Sequence, residues 1–376
     1  MKIGKKIFLM LSALFVLTIG AGVLYAQTLF SYSNGELSKT YVPLTNDSEE
    51  DAIIEATEPL TILLMGVDTG SASRTETWAG NSDTMILMTL NPDTQKTTML
   101  SLERDIMVEL YDAQGNATGE TAKLNAAYAY YGYEGAIHTI EAAMNTTIDH
   151  YALINMQGLQ DLVNAVGGIT VNNTLGFTIS ISAQEPEFTA TIDPGEQTIN
   201  GEQAVVYARM RYDDPEGDYG RQKRQREVIQ LLIEKLISMD SVTKYQSILS
   251  AISSNMQTNV ELSSSSIPKL MGYADTLGTI ESLQLEGQDA YVDGVSYQMV
   301  TAAHLLEMQN AIQTSLGKEV YTELTTNIVT YESYYGYSTE TYYSETETYE
   351  SYSDTGTEQT YSDPATTYYE ETPAPQ

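Results

Sequence analysis

Residues 61–68 (TILLMGVD) and residues 81–102 (NSDTMILMTLNPDTQKTTMLSL) decide the fold of this chain. The first segment and residues 84–90 are apolar runs, as expected of strands that are buried on both faces. Residues 91–94 (NPDT) are a turn by composition, so residues 97–102 should return as the second strand of a hairpin. Helical patterns later in the chain place the protein in the α/β class.

Five of the seven arginines lie between residues 209 and 226, although the 376-residue chain has 51 acidic and 18 basic residues and a net charge of −33. Arginine suits bidentate recognition of phosphate. The helical pattern predicted to begin near Gly220 puts Arg221 and Gln225 on one face. Cations in a first helical turn, where acids are normal, indicate an external anion. The alternative is a solvated basic face neutralised by nearby acids.

The segment 204–211 (AVVYARMR) leaves the geometry of two further arginines open. If the segment is extended, Arg209 and Arg211 leave the same face of a strand, whereas in a helix they diverge.

Charged residues also stand at the ends of the predicted strands. Asp68 ends the first run, Asp83 precedes the second, and Arg104 follows the third. Strand termini are where α/β sheets usually build binding sites. Two aspartates facing an arginine cluster favour a divalent cation beside a polyphosphate.

Composition and missing motifs exclude several classes of protein. The chain has no cysteine, which removes disulfide frameworks, cysteine-based metal sites and thiol nucleophiles. Its acidity argues against a nucleic-acid partner. It has no G-x-S-x-G elbow, P-loop or H-E-x-x-H motif. We expect His138, His150 and His304 to be structural residues.

The two ends of the chain differ from its centre. Residues 1–6 carry three lysines and residues 7–26 are an uncharged, largely apolar run, long enough as a helix to cross the roughly 30 Å bilayer core. We expect a single-pass signal anchor with a cytoplasmic N-terminus, a cleaved signal peptide being the alternative. Residues 27–57 are predicted to be an extracellular stalk. The tail, residues 321–376, is rich in Tyr, Ser, Thr and Glu and is predicted to be disordered, either simply solvated or contacting glycans.

Seven sequence blocks occur in an order that resembles one family. They are LLMGVD, NSDTMILMTLNP, MLSLERD, KLNAAYAY, DHYALINMQGLQDLVNAVGGITV, NGEQAVVYARMR and GDYGRQKRQREVI. Together they resemble the extracellular catalytic domain of the LytR–CpsA–Psr phosphotransferases of Gram-positive cell walls. The resemblance covers residues 58–240, with a helical continuation expected over residues 241–320.

The resemblance implies a fold and an activity. The fold would be a mixed central β-sheet flanked by helices on both faces, with an apolar pocket for a polyprenyl chain. The activity would be the transfer of a glycopolymer from an undecaprenyl-pyrophosphate carrier to peptidoglycan through a phosphodiester, assisted by Mg²⁺ or Mn²⁺. The protein would then be an enzyme of the cell membrane with its catalytic domain outside.

The resemblance also assigns roles to residues. Asp68 and Asp83 match the metal-associated acids, and Asp68 is the candidate for deprotonating the acceptor hydroxyl. The residues that match the pyrophosphate-binding cluster are Arg104, Lys123, Arg209, Arg211, Arg221 and Gln225. Asp68, Asp83, Arg104 and Arg221 are the predicted catalytic residues, and Asp218 matches a motif position of undefined role. Glu103 stands where many members have proline, and Asn81 where many have arginine.

Two other functions use the same residues. A pyrophosphatase would hydrolyse the lipid-linked diphosphate, with water as the acceptor. A wall-polymer-binding surface protein would hold anionic polymers through the arginines, without turnover and without a metal.

Overall fold

A computed structural model of the chain describes residues 39–45, 47, 58–70, 77–238, 248, 253–260 and 271–336. The strands are β1 (Leu60–Val67), β2 (Ser82–Asn91), β3 (Lys96–Leu102), β4 (Met107–Tyr111), β5 (Ala117–Lys123), β6 (His150–Asn155), β7 (Ile169–Asn173), β8 (Gly195–Ile199), β9 (Met256–Thr258), β10 (Ile280–Leu285), β11 (Gln288–Val292) and β12 (Val295–Met299). The helices are α1 (Ala126–Met144), α2 (Met156–Ala165), α3 (Gly201–Arg209), α4 (Gly217–Ile237), α5 (Ala302–Ser315) and α6 (Tyr331–Tyr335), with a 3₁₀ helix at Met271–Gly278.

The predicted runs form the middle of a six-stranded mixed sheet. Its strand order is β10-β3-β2-β1-β6-β9. The β2–β3 hairpin is antiparallel, as predicted, and the Asn91 side chain accepts hydrogen bonds from the backbone N–H groups of Asp93 and Thr94 in its turn. β1 runs parallel to β6 and antiparallel to β2, and β10 runs parallel to β3. The mixed sheet expected from the family resemblance is therefore confirmed.

Helices cover both faces of the sheet because successive side chains of β2 point to opposite sides. Met85 and Leu87 belong to a core shared with α1 and α5. Ile86 and Met88 pack on the other face, in a cluster with residues of the 3₁₀ helix and α4. A third cluster joins α2, α3 and α4 to the β7–β8 hairpin. This last group of helices stands beside the ends of β1 and β6 and forms one wall of the site described below.

Three predicted boundaries are wrong in the described residues. Residues 241–320 are not purely helical, since they supply four strands, and β10 joins the central sheet by pairing with β3. A strand this short and mixed in pattern is specified by its distant partner, so local sequence does not reveal it.

The other two boundaries concern the predicted stalk and tail. Val42 of the stalk bonds the backbone of β9 and accepts a hydrogen bond from the Tyr151 hydroxyl. In the predicted tail, Ile328 is buried in the core, and Asn327 donates to the backbone of Glu109 and Thr139. The folded domain therefore includes part of both segments, through backbone hydrogen bonds of Val42 at one end and through the side chains of Asn327 and Ile328 at the other.

The predicted anchor and the rest of the predicted tail lie outside the described residues. Within the part of the chain that the structure describes, no helix is long and apolar enough to cross a membrane.

Candidate active site

A cavity of about 320 Å³ opens where β1 and β6 end and β2 begins. Because β1 and β6 are parallel, their carboxyl ends meet at one sheet edge, and the antiparallel β2 starts at that edge. Asp68 follows β1, Asp83 is the second residue of β2, and Asn155 ends β6. All three line the cavity, so the predicted placement of the two aspartates at one site is observed.

The arginines form another part of the cavity wall. Arg104, Arg209, Arg211, Arg221 and Gln225 all line the cavity. Arg221 and Gln225 do so from one face of α4, as their spacing predicted. Arg209 is the last residue of α3, which is held by a capping box between Asn200 and Gln203. Met210 is extended, so the chain leaves the helix between the two arginines, and both reach the cavity.

Asp83 lies at the centre of this charge cluster. Its Oδ1 accepts hydrogen bonds from Arg104 Nη1 at 2.8 Å and from the Asn125 amide at 3.4 Å, and its backbone carbonyl accepts one from Arg221 at 3.4 Å. Burial alone would raise the pKa of Asp83, but the charges of Arg104 and Arg221 outweigh it and hold that pKa below its usual value. Asp83 is therefore an anion at neutral pH and can act as a metal ligand.

Asp68 is held by a glycine loop. Its Oδ1 accepts a hydrogen bond from the Asn81 N–H at 3.2 Å. Gly80 has a φ of +124°, and a Cβ at this position would lie 2.6 Å from Asp68 Oδ1. Only glycine allows the loop to adopt this conformation and to approach the carboxylate so closely.

Two side chains at the cavity wall had no signal in the sequence. Glu185, from the segment between β7 and β8, makes a bidentate ion pair with Arg209, with Nη2–Oε distances of 2.8 and 3.0 Å. Tyr212 is 62% exposed, and the guanidinium of Arg211 lies 4.7 Å from the centroid of its ring. Residue type predicts neither feature: the contact of Glu185 with Arg209 joins separate segments, and the place of Tyr212 at the cavity depends on how the chain leaves α3.

Asp218 lies within 4.0 Å of three of the arginines. It lies 2.8 Å from Arg221, 3.8 Å from Arg211 and 4.0 Å from Arg104, measured between carboxylate oxygens and guanidinium nitrogens. The helix begins at Gly217, earlier than predicted, so this acid occupies its first turn. The prediction that cations alone fill that turn is wrong, and Asp218 is a counterion to the cluster.

Among the described residues, Lys123, Arg224 and Arg226 do not line the cavity. Lys123 Nζ lies 2.8 Å from Asp105 at the border of the site. Arg224 points into the protein, where it pairs with buried Asp214 and donates to the backbone carbonyls of Tyr207 and Met210. Arg226 donates to Ser101 and Gln284 and so ties α4 to β3 and β10.

The acids of the site are too few to bind a metal alone. Within the described residues, no group of three or more His, Cys, Asp or Glu side chains is placed to do so. Magnesium in phosphoryl-transfer sites commonly takes one or two carboxylates and completes its shell with substrate phosphates and water. Asp68 and Asp83 form a donor set of that kind.

Comparison with known proteins identifies the family. Residues 27–314 match the model of the LytR–CpsA–Psr family. Biofilm regulatory protein A of Streptococcus mutans is 54% identical over 345 residues, which cover 91% of this chain and 85% of that protein. The polyisoprenyl-teichoic acid–peptidoglycan teichoic acid transferase TagU of Enterococcus faecalis is 40% identical over 314 residues, covering 83% of this chain and 98% of that protein.

Solved structures agree with this result. Protein gbs0355 from Streptococcus agalactiae superposes with a TM-score of 0.70 at 57% identity, over 74% of this chain and 95% of that one. The structure of TagT bound to LIIa-WTA superposes with a TM-score of 0.59 at 27% identity, over 74% of this chain and all of that one (100%). The chain therefore belongs to the LytR–CpsA–Psr family, as its sequence blocks predicted.

Proposed function

We propose that this protein transfers a glycopolymer from an undecaprenyl-pyrophosphate carrier to peptidoglycan, forming a phosphodiester, with the help of Mg²⁺ or Mn²⁺. The observation that carries the proposal is one cavity with an arginine wall, two aspartates at strand ends and an apolar wall. The 40% identical relative named as a teichoic acid transferase supports the same reaction class.

The arginine wall suits the diphosphate. Arg104, Arg209, Arg211 and Arg221 supply fixed positive charge, and the amide of Gln225 adds a neutral donor. These arginines are offset by Asp68, Asp83, Glu185 and Asp218, so the empty cluster has little net charge. A diphosphate alone would meet the carboxylates of the first two acids. Asp68 and Asp83 would hold a divalent cation, which would offset that repulsion and supply Lewis-acid stabilisation.

The apolar side of the cavity suits the lipid. Its lining from β6, α2 and α3 includes Ile154, Met156, Leu159 and Val205, with Ile181 from the segment after β7. Methylene-rich chains gain about 0.8 kcal/mol for each buried CH₂. We infer that the prenyl chain lies along these side chains and thereby points the diphosphate at the arginines.

The reaction follows from this placement. A hydroxyl oxygen of the peptidoglycan acceptor attacks the phosphorus that carries the glycan. The bond from that phosphorus to the bridging oxygen breaks, and undecaprenyl phosphate leaves with the electron pair. Asp68 accepts the hydroxyl proton, and the guanidinium groups neutralise charge on the phosphate oxygens in the transition state.

We further propose that residues 7–26 anchor the enzyme in the cell membrane, with the catalytic domain outside. Carrier lipid and peptidoglycan are both present at that surface. Anchoring would hold the cavity within reach of a substrate that cannot leave the bilayer.

The test uses the full chain purified in detergent, with a polyprenyl-pyrophosphate-linked oligosaccharide and peptidoglycan oligomers, in Mg²⁺ or in EDTA. Mass spectrometry should detect a phosphodiester-linked conjugate in Mg²⁺ and none in EDTA. Free sugar phosphate with acceptor in excess would instead establish a pyrophosphatase. Bound, unchanged lipid in both conditions would mean that the protein only binds the polymer.

A further inference from the structure

A carboxyl group is buried behind the arginine wall and has no role in the mechanism above. Glu103 follows β3 and is only 2% exposed. Its Oε2 accepts a hydrogen bond from the Gln222 amide, and its Oε1 accepts one from the backbone N–H of Asp105 at 3.3 Å. An acid this deeply buried normally requires a cation of its own or a proton.

The cations near Glu103 already have a partner. Asp218 Oδ2 accepts hydrogen bonds from Arg221 at 2.8 Å and from Gln222 at 3.3 Å, so one amide contacts both acids. The charged groups that face Glu103 are Asp218 and Arg221 of α4 and Asp105 of its own segment. Tyr219 of α4 also lies near and is neutral, because burial raises the pKa of its hydroxyl to about 12. Two carboxylates facing Glu103 outnumber the single arginine.

Asp218 lacks one hydrogen bond. Its Oδ1 is buried and has no hydrogen-bond partner within the described residues, the nearest cations being Arg211 at 3.8 Å and Arg104 at 4.0 Å. A buried carboxylate oxygen without a donor is costly. Gln222 Nε2 donates to both Glu103 Oε2 and Asp218 Oδ2, so the two carboxyl groups are neighbours, and a proton on Glu103 would supply Asp218 with a further donor.

We propose that Glu103 is a neutral carboxylic acid that donates its proton to Asp218 and thereby positions the acid to which Arg104, Arg211 and Arg221 are anchored. Burial, and after it the charge of Asp218, raise the pKa of Glu103 to about 8, which agrees with this state near neutrality. Glu103 is a positioning residue, since it does not line the cavity. If Glu103 were ionised, the carboxylates of the cavity cluster together with Glu103 would outnumber its four arginines, and diphosphate binding would weaken.

The first test measures stability and does not depend on the proposed function. The full chain in detergent is unfolded in urea at several pH values, and the fluorescence of Trp78 is followed. Glu103 retains its proton up to a higher pH in the folded protein than in the unfolded chain, where its pKa is about 4.5. The contribution of Glu103 to stability is therefore greatest below pH 4.5 and falls as the pH rises to about 8, by up to about ten-fold per pH unit in the unfolding equilibrium.

Glu103→Gln keeps a neutral donor and should lose this dependence, so its stability relative to the wild type should rise across that range. Glu216→Gln, at an exposed acid beside the same helix, controls for the removal of a charge. A difference between Glu103→Gln and the wild type that stays constant with pH would show that Glu103 is ionised and would overturn the inference.

The second test rests on the proposed function. Wild-type transfer should fall as the pH rises through about 8, and the activity of Glu103→Gln should not show that fall. Glu103→Ala removes the donor and should transfer about ten-fold more slowly than Glu103→Gln at every pH. If transfer by Glu103→Gln fell at high pH in the same way as transfer by the wild type, the fall would belong to another titrating group, and the positioning role would be refuted. If no variant transfers, the proposed function fails, while the stability test still decides the proton.

Discussion

Two arginines of helix α4 are used in opposite ways. Arg221 faces the cavity, where its nearest acid, Asp218, is shared with Arg104 and Arg211. Arg224, one turn later, faces the interior and has its own acid, Asp214, whose side chain is only 2% exposed. Asp218 cannot neutralise three arginines by itself, so Arg221 can also bind a ligand, whereas Asp214 neutralises Arg224. Function and stability are thus separated within a single basic segment by the acid that each arginine meets.

The largest effect is expected on the interior side. Arg224→Ala leaves Asp214 buried without its cation and should lower the free energy of unfolding by about 3–5 kcal/mol. Urea unfolding followed by circular dichroism measures this loss. The paired change Asp214→Leu with Arg224→Met should restore most of it, since both charges are then absent. A loss below about 1 kcal/mol for Arg224→Ala would mean that the interior ion pair contributes no more than an exposed one.

The next effect is expected on the cavity side. Arg221→Ala removes one contact to the diphosphate and should lower the transfer rate by about 10²–10³, because transition-state contacts of this type contribute that much. Its circular dichroism spectrum should match the wild type. Wild-type-like transfer by a correctly folded variant would contradict the assignment of Arg221 to the site.

A smaller effect is expected where the interior ion pair meets the helix backbone. A Cβ on Gly220 would lie 2.0 Å from Asp214 Oδ2. Helix propensity alone predicts that Gly220→Ala stabilises by about 1 kcal/mol. Because Asp214 cannot move without giving up Arg224, we expect a net destabilisation of about 1–3 kcal/mol instead. A raised thermal midpoint would show that this ion pair yields easily.

The smallest effect is expected on the solvent side of the same helix. Lys223 pairs with Glu216, and the two side chains are 53% and 55% exposed. Exposed pairs contribute about 0–1 kcal/mol, so Lys223→Ala should change neither the urea midpoint nor the transfer rate measurably. A loss of transfer here would mean that long-range charge, and not contact, governs substrate binding.

The site could be predicted where strand ends, or the spacing along one element, settled the matter. Arg221 and Gln225 share a face at any helical register, so their joint placement followed from a four-residue separation. Nothing local distinguished them from Arg224 or Arg226. Glu185 carries no local signal either, since its contact with Arg209 joins two segments that are separate in sequence.

The sequence by itself determined the strands from residue 60 to residue 102, the hairpin between the second and third strands, and the family. Apolar runs, a turn and ordered motifs are local properties, and they survive whatever the rest of the chain does. Tertiary structure decided the place of β10 in the sheet and the choice between binding and structural arginines. The place of β10 depends on its pairing with a strand that is distant in sequence. The role of each arginine depends on which distant side chains surround it, because a buried charge requires a partner, a proton or a ligand.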